Sequence, residues 1–364
     1  MSQTVASILK QRNFNRETLV RLLEANEEET RLIFSEAARI KHQKVGNGVY
    51  LRGLIELSNI CAKDCLYCGI RKSNENCQRY VVSDAEIDKA IQYAVDSRMR
   101  SLVIQSGELQ TENFIERVNN ILIRAHVLGA GELGVTLSCG EQSRETYEKW
   151  RELGASRYLL RIESSNQELY YKVHPQDETH RYQTRLNALH LLKSCGYQVG
   201  TGVMIGLPFQ TLDDLASDLL FMHDLDIDMC GMGPYIEHPD TPLYQYKNQL
   251  LPVSERVQLS LKMIALLRIL MQDINIASTT ALQALDKQGR VKALKIGANV
   301  MMPNITPGLY RNNYALYLNK PGMDEEAEDS LRNLQKQVAE AGCGVGYGVR
   351  GDSVHFSSRM GIQG

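Results

Sequence analysis

The chain has 364 residues, 43% of them hydrophobic, and a net charge of −2 from 41 basic and 43 acidic side chains. That is enough for one large domain or two small ones around a full core. The balanced, dispersed charge excludes an extended nucleic-acid surface, and the lack of any apolar run near the ~20 residues of a membrane span excludes a transmembrane helix. No signal peptide opens the sequence, so its eight cysteines are read as reduced thiols of a soluble, cytoplasmic protein.

In chain order, Ser2 to Gln43 reads as helices with an apolar face from Leu19, Leu22 and Leu23. An N-cap region at Ala25-Asn26-Glu27 precedes a helix from Glu28 to Ile40. Val49 to Leu57 is the first core strand. Strands are then expected at 101–105, 134–138, 158–162, 199–205, 229–232 and 275–278, with a last apolar run at 298–302. Between them fall a helix opened by a Ser83/Glu86 capping box and helices at 112–127, 144–153, 184–194, 213–223, 253–271 and 282–285. About eight strand–helix units in unbroken series predict parallel strands with crossover helices. A (β/α)8 TIM-type barrel is the expected closure, and a doubly wound open sheet is the alternative. The expected divisions are a helical preface (1–45), the barrel (46–315), and a C-terminal helix with a Gly-rich, irregular tail packed on it (316–364).

Barrel function gathers where strands end at their C-termini, and polar groups follow each strand. They are Ser58-Asn59, Gln105-Ser106-Gly107-Glu108, Ser138-Cys139-Gly140-Glu141, Arg161 with Glu163, Gly206-Leu207-Pro208, Tyr235 with Glu237 and His238, Ser278-Thr279-Thr280, and Asn304 with Thr306.

The most informative stretch follows the first strand: Cys61-Ala62-Lys63-Asp64-Cys65-Leu66-Tyr67-Cys68. Thiolates are the ligands of soft iron–sulfur centres, and a closed four-iron cluster uses four cysteines. Three cysteines leave one iron open, and an open position is where chemistry happens. Zinc on three thiolates plus a distant ligand, or plain buried thiols, are the alternatives; no second C-x2-C or C-x2-H knuckle supports zinc. Cys139 and Cys230 read as small core residues. Gly107 would let backbone approach a ligand closely. Arg161 and Glu163, two apart on one strand, point to one side, where charges are costly unless paired with each other or with a ligand. Arg185 opens a helix and aims either inward or to solvent. Thr279-Thr280 offers hydroxyls at a helix start, suited to an anion or to simple capping.

The C-x3-C-x2-C spacing with an aromatic before its last cysteine resembles the radical S-adenosylmethionine (SAM) superfamily. That resemblance implies a [4Fe-4S] cluster whose open iron holds SAM, and reductive cleavage to a 5′-deoxyadenosyl radical. A longer series, at 52–59, 68–71, 105–108, 158–161, 205–208, 238–242, 279–281 and 297–304, resembles the HydE family of [FeFe]-hydrogenase maturases, which is similar in turn to biotin synthase and methylornithine synthase. It implies Cys61, Cys65 and Cys68 as cluster ligands. Around SAM it implies Tyr67, Gln105, Ser106, Gly107, Glu108, Ser138, Glu163 and Arg185. Arg161, Thr279 and Thr280 match a deeper anion pocket, and Arg52, Tyr310 and Tyr314 are candidates for the substrate end. The implied substrate is a cysteine-bound iron carbonyl cyanide complex made by HydG, with the product passing to the scaffold HydF and electrons coming from a ferredoxin or flavodoxin.

Two departures stand out. The region 312–344 carries only Cys343, so no accessory cluster is expected. The fourth strand reads Arg161-Ile162-Glu163 where the family often has Arg-His-Glu. Competing functions are an amino-acid mutase of the methylornithine synthase type and a non-enzymatic iron–sulfur carrier or scaffold. Biotin synthase needs further cysteines where Gln105 and Arg161 stand.

Overall fold

A computed structural model describes residues 3–362. Met1, Ser2, Gln363 and Gly364, which the preface and tail expectations included, lie outside the described residues. The strands are β1 Gly48–Leu51, β2 Gly53–Ser58, β3 Ser101–Ser106, β4 Gly134–Ser138, β5 Ala155–Leu159, β6 Gln198–Thr201, β7 Met204–Ile205, β8 Met229–Cys230, β9 Gly233–Pro234, β10 Asn275–Ile276, β11 Val300–Met301 and β12 Gly344–Val345. Seven of them run in the order β10-β8-β6-β5-β4-β3-β2, all parallel.

β11 closes the ring. Val300 pairs with Tyr50 of β1 and bridges Ala277 beyond β10, while Asn304 bridges Leu54 of β2. β1 and β2 are one strand broken at Arg52, so eight strand positions surround the core, as the alternating pattern predicts. Helices cover the outer face, and the middle of each strand is therefore buried on both sides. That is why Leu102, Val103 and Ile104 form an unbroken apolar run. Past β6 and β8 the ring is pinched: a side chain on Gly202 would meet the Gly231 carbonyl at 2.0 Å.

The preface is helical, as expected. Helix Glu27–Lys44 is capped by Asn26 and packs on the long helix Val253–Leu270; Arg16–Leu23 packs on Leu212–Asp224. Ser83 and Glu86 form the anticipated capping box. No helix among the described residues is long and apolar enough to cross a membrane.

The strand placed at 158–162 lies three residues earlier, as β5. Arg157 in its middle made the segment read as polar, yet that guanidinium is fully buried against Asp352 at 2.6 Å. Arg161 and Glu163 therefore sit past the strand, and Glu163 adopts a left-handed backbone (φ 65°). Helices Gln167–Val173 and Gly289–Ile296 were not anticipated.

The Gly-rich tail is also ordered rather than irregular. β12 pairs with β1, and residues 350–353 cork the N-terminal end of the barrel. Asp352 accepts from Arg157 and from Gln198 (2.7 Å). The Gly351 carbonyl accepts from Arg52 (3.1 Å) and Asn275 (3.0 Å).

Candidate active site

The cysteine loop leaves β2 at Ser58 and is fastened from every side before its thiols can be placed. Leu66 N–H donates to the Val173 carbonyl (3.0 Å), and Leu243 N–H to that of Leu66 (3.1 Å). Arg79 threads beneath the loop and donates to the carbonyls of Asn59 (2.7 Å), Ile70 (2.8 Å) and Arg71 (2.6 Å). Leu66 and Tyr67 pack on a small apolar cluster of Leu169, Val173, Met204, Leu207, Tyr235 and Leu243.

Two histidines complete the fastening. His180 Nε2 accepts from Asp64 N–H (2.9 Å) while its Nδ1 donates to Asp177 (2.8 Å). His174 Nδ1 donates to the Tyr170 carbonyl (2.9 Å), which leaves Nε2 to accept from the Tyr67 hydroxyl at 3.2 Å. Burial drives the His174 pKa down to about 3, so the ring stays neutral in this role. Neither histidine, nor Arg79, stands out by sequence spacing; each contacts the loop from a distant turn or helix.

Cys61, Cys65 and Cys68 open onto one cavity of about 230 Å³ at the C-terminal mouth of the barrel. Cys61 Sγ accepts from the backbone N–H groups of Glu108 (3.3 Å) and Lys63 (3.4 Å). Burial pushes all three thiols up, Cys68 to about 12, so they need a bound cation to ionise, as iron provides. Among the described residues no three His, Cys, Asp or Glu side chains gather tightly enough for a single ion to bridge them. Three thiols spread over one cavity wall suit a cluster that takes each of them through a different iron. The donor set therefore fits a [4Fe-4S] cluster with one free corner.

Gly107 is required, but for a different reason from the one expected. A side chain there would meet the Ile60 carbonyl at 2.2 Å and Cys61 Cβ at 2.9 Å. The glycine lets the β3 turn press against the cysteine loop.

Beside the thiols lies a buried group of four charges. Arg185 aims inward from helix Tyr182–Ser194, with Nη2 at 2.8 Å from Glu108 and Nε at 2.8 Å from Glu141. Lys63 reaches Glu141 at 2.8 Å and Glu108 at 4.0 Å. Burial opposes ionisation of Glu108, but Arg185 and Lys63 together outweigh it and hold the carboxyl below its usual range. Glu163 is the contrasting case: burial outweighs Arg161, 2.9 Å away, and raises its pKa. Its Oε2 is the atom that faces Arg161; among the described residues Glu108 Oε2 and Tyr235 Oη have no hydrogen-bond partner. Acceptors held at the wall with nothing to accept match a ligand rich in hydroxyl and amino donors, which the ribose and methionine ends of SAM supply.

Tyr67, Gln105, Ser106, Gly107, Glu108, Ser138, Arg161, Glu163, Arg185, Thr279 and Tyr314 all line this cavity. Thr280 lines the chamber beside it. A helix does begin at Thr280, but it has only six residues and Thr279 makes no side-chain cap. The Thr279 hydroxyl turns to the Met232 carbonyl (3.4 Å), and Thr280 accepts from Tyr317 (2.8 Å).

Two candidates lie elsewhere. Arg52 sits at the opposite end of the barrel, bonded to the tail, because the break between β1 and β2 turns it to the floor. Tyr310 donates to Glu86 at 2.6 Å and stacks on Tyr80 at the outer rim. Cys139 and Cys230 are buried core residues, as read.

The model of the radical SAM superfamily matches residues 55–222. The chain is 44% identical over 91% of its length to the [FeFe] hydrogenase maturase subunit HydE of Thermotoga maritima, and covers 91% of that protein. It is 28% identical to 3-methylornithine synthase of Methanosarcina acetivorans over 76% of this chain and 75% of that one. Among solved structures, methylornithine synthase (PylB) superposes with a TM-score of 0.79 at 21% identity, over 99% of this chain and all of that one. The maturase HydG of Carboxydothermus hydrogenoformans gives 0.79 at 20% identity over 94% of this chain and 79% of that one. Both likenesses are of fold.

Proposed function

The chain belongs to the radical SAM superfamily, among the HydE-type [FeFe]-hydrogenase maturases, and from that premise we propose that it acts on a cysteine-bound iron carbonyl cyanide precursor during H-cluster assembly. Its cofactors are a [4Fe-4S] cluster and SAM, which together supply one-electron cleavage of a sulfonium and hence a 5′-deoxyadenosyl radical.

The observation that carries the reading is one shared cavity. Cys61, Cys65 and Cys68 form its lip, the carboxylates of Glu108 and Glu163 its side, and Arg161 with Thr279 its depth. Cys61, Cys65 and Cys68 would hold the cluster. Glu163 would take the ribose hydroxyls of SAM, and Glu108, oriented by Arg185, its ammonium. Arg161 is one-third exposed to the cavity and its Nε is unpartnered. It would take an anionic group of the substrate, with the Thr279 hydroxyl beside it. Tyr314, Leu316 and Tyr317 also line this cavity and would limit the water that reaches the reacting groups. A carrier or scaffold has no use for such a cavity.

The test is anaerobic. The protein is reconstituted with iron and sulfide, reduced and given SAM, and 5′-deoxyadenosine is measured with and without the iron carbonyl cyanide complex. Strong stimulation by the complex is expected. Cleavage that ignores the complex but responds to free amino acids would replace the maturase reading by a mutase.

A further inference from the structure

Beside the reaction cavity lies a second chamber of about 190 Å³, between the helices Gly289–Ile296 and Ala327–Glu340. Arg161, Thr279 and Tyr317 line both spaces. Most of its charges are matched. Lys320 pairs with Glu56 and donates to the Tyr314 carbonyl at 2.9 Å, and Arg161 pairs with Glu163.

Arg290 and Glu325 are not matched, among the described residues, and Arg290 is the more deeply buried. It is only 6% exposed and its Nε has no hydrogen-bond partner. Among the described residues its side chain enters no ion pair. Tyr317 and Glu325, on the same chamber, act on it only through space, and Glu325 already accepts from Asn333 at 2.8 Å. A buried guanidinium without hydrogen bonds is costly, so it marks a place where a ligand repays a cost. Burial lowers its pKa only to about 10, and it remains charged at neutral pH.

The chamber also holds an acceptor with no donor: Gln337 Oε1 is buried and unpartnered. A free guanidinium fork and a free amide oxygen in one small space are complementary to a zwitterion. The carboxylate would lie on Arg290, and the ammonium on Gln337 Oε1 with Glu325 behind it. We propose that this side chamber binds a small free α-amino acid through Arg290 and Gln337 rather than through Arg161, which lines the same space. It does not depend on the maturase reading, because neither Arg290 nor Gln337 lines the cysteine loop cavity.

The test titrates the reconstituted full-length protein anaerobically with L-alanine and with acetate, by calorimetry and by thermal shift. Wild type should bind L-alanine more tightly than acetate. Arg290→Met should weaken both at least tenfold, while its ligand-free melting point matches or exceeds that of wild type, since an unpaired buried charge has been removed. Gln337→Leu should weaken L-alanine several-fold and leave acetate unchanged. Arg161→Met should leave L-alanine binding intact. No L-alanine binding by wild type, undiminished binding by Arg290→Met, or loss in Arg161→Met alone would overturn the assignment. Intact L-alanine binding in a protein that fails to cleave SAM would sink the reading of the reaction and leave this one standing.

Discussion

At the floor of the barrel Arg157 is enclosed by Thr136, Ser101, the Arg350 carbonyl and Asp352. Asp352 is held in turn by Gln198. The space left there is about 30 Å³, room for little more than a water. At the mouth, 230 Å³ stays open, and Glu108, Arg161 and Tyr235 each present a buried polar atom with no hydrogen-bond partner among the described residues. Arg157 and Asp352 invest their charges in each other and gain stability, although Arg52 beside them keeps an unpartnered Nε. The mouth pairs its charges too but leaves Glu108 Oε2, Arg161 Nε and Tyr235 Oη over, and unmet hydrogen-bonding capacity is what a ligand can use. The contrast predicts that substitutions at the two ends separate stability from binding.

The largest effect should come from the lip. Replacing any one of Cys61, Cys65 or Cys68 by Ala removes a ligand that no neighbouring group can replace. Iron content after reconstitution should fall to near background, and 5′-deoxyadenosine with it, measured by iron assay and chromatography.

At the floor, Asp352→Asn leaves Arg157 buried against a neutral partner and should cost about 3 kcal/mol in urea unfolding. SAM affinity should be unchanged in the folded protein. Equal stability in the variant would break the contrast at its structural end.

At the mouth, Glu163→Gln should do the reverse. Losing a charge-assisted acceptor should weaken SAM about tenfold, or about 1.4 kcal/mol. Stability should hold or rise, because burial already disfavours this carboxylate.

The smallest effect lies in the clamp behind the floor. His355 is bridged by Asp273 (2.9 Å) and Asp226 (2.6 Å), and its hydrogen bond to Asp273 leads in raising its pKa to about 9. A raised pKa means the folded state favours the proton. This contribution is therefore full below the ordinary histidine value of about 6.5 and fades as pH rises towards 9. The melting temperature should drift down across that window in wild type and stay flat in His355→Gln. SAM cleavage at saturating SAM should not follow the drift.

Much of the mouth was legible in the sequence because its signals are local. The thiol spacing, the turn after β3 and the Arg161–Glu163 pair each lie within eight residues. Strand–helix alternation carried the barrel, since parallel strands covered on both faces show as plain apolar runs. The floor was not legible. Arg157 in mid-strand reads as a reason against a strand, and only Asp352, nearly two hundred residues on, makes it a core residue. Arg52 was misplaced for the same reason, its partner being the tail. The Gly-rich tail read as irregular because its pairing with β1 is entirely backbone. The supports of the cysteine loop, His174, His180 and Arg79, were missed because their work is done across turns that no spacing rule connects.

The polar groups at the mouth, Glu163 among them, would hold SAM against a cluster on the three-cysteine loop. The most direct test is the electron paramagnetic resonance spectrum of the reduced, reconstituted protein as SAM is added, in wild type and in Glu163→Gln. The reduced-cluster signal should change shape on SAM addition and saturate in wild type, with about tenfold more SAM needed in Glu163→Gln. A fully loaded cluster whose signal ignores SAM in both proteins would contradict this placement of SAM.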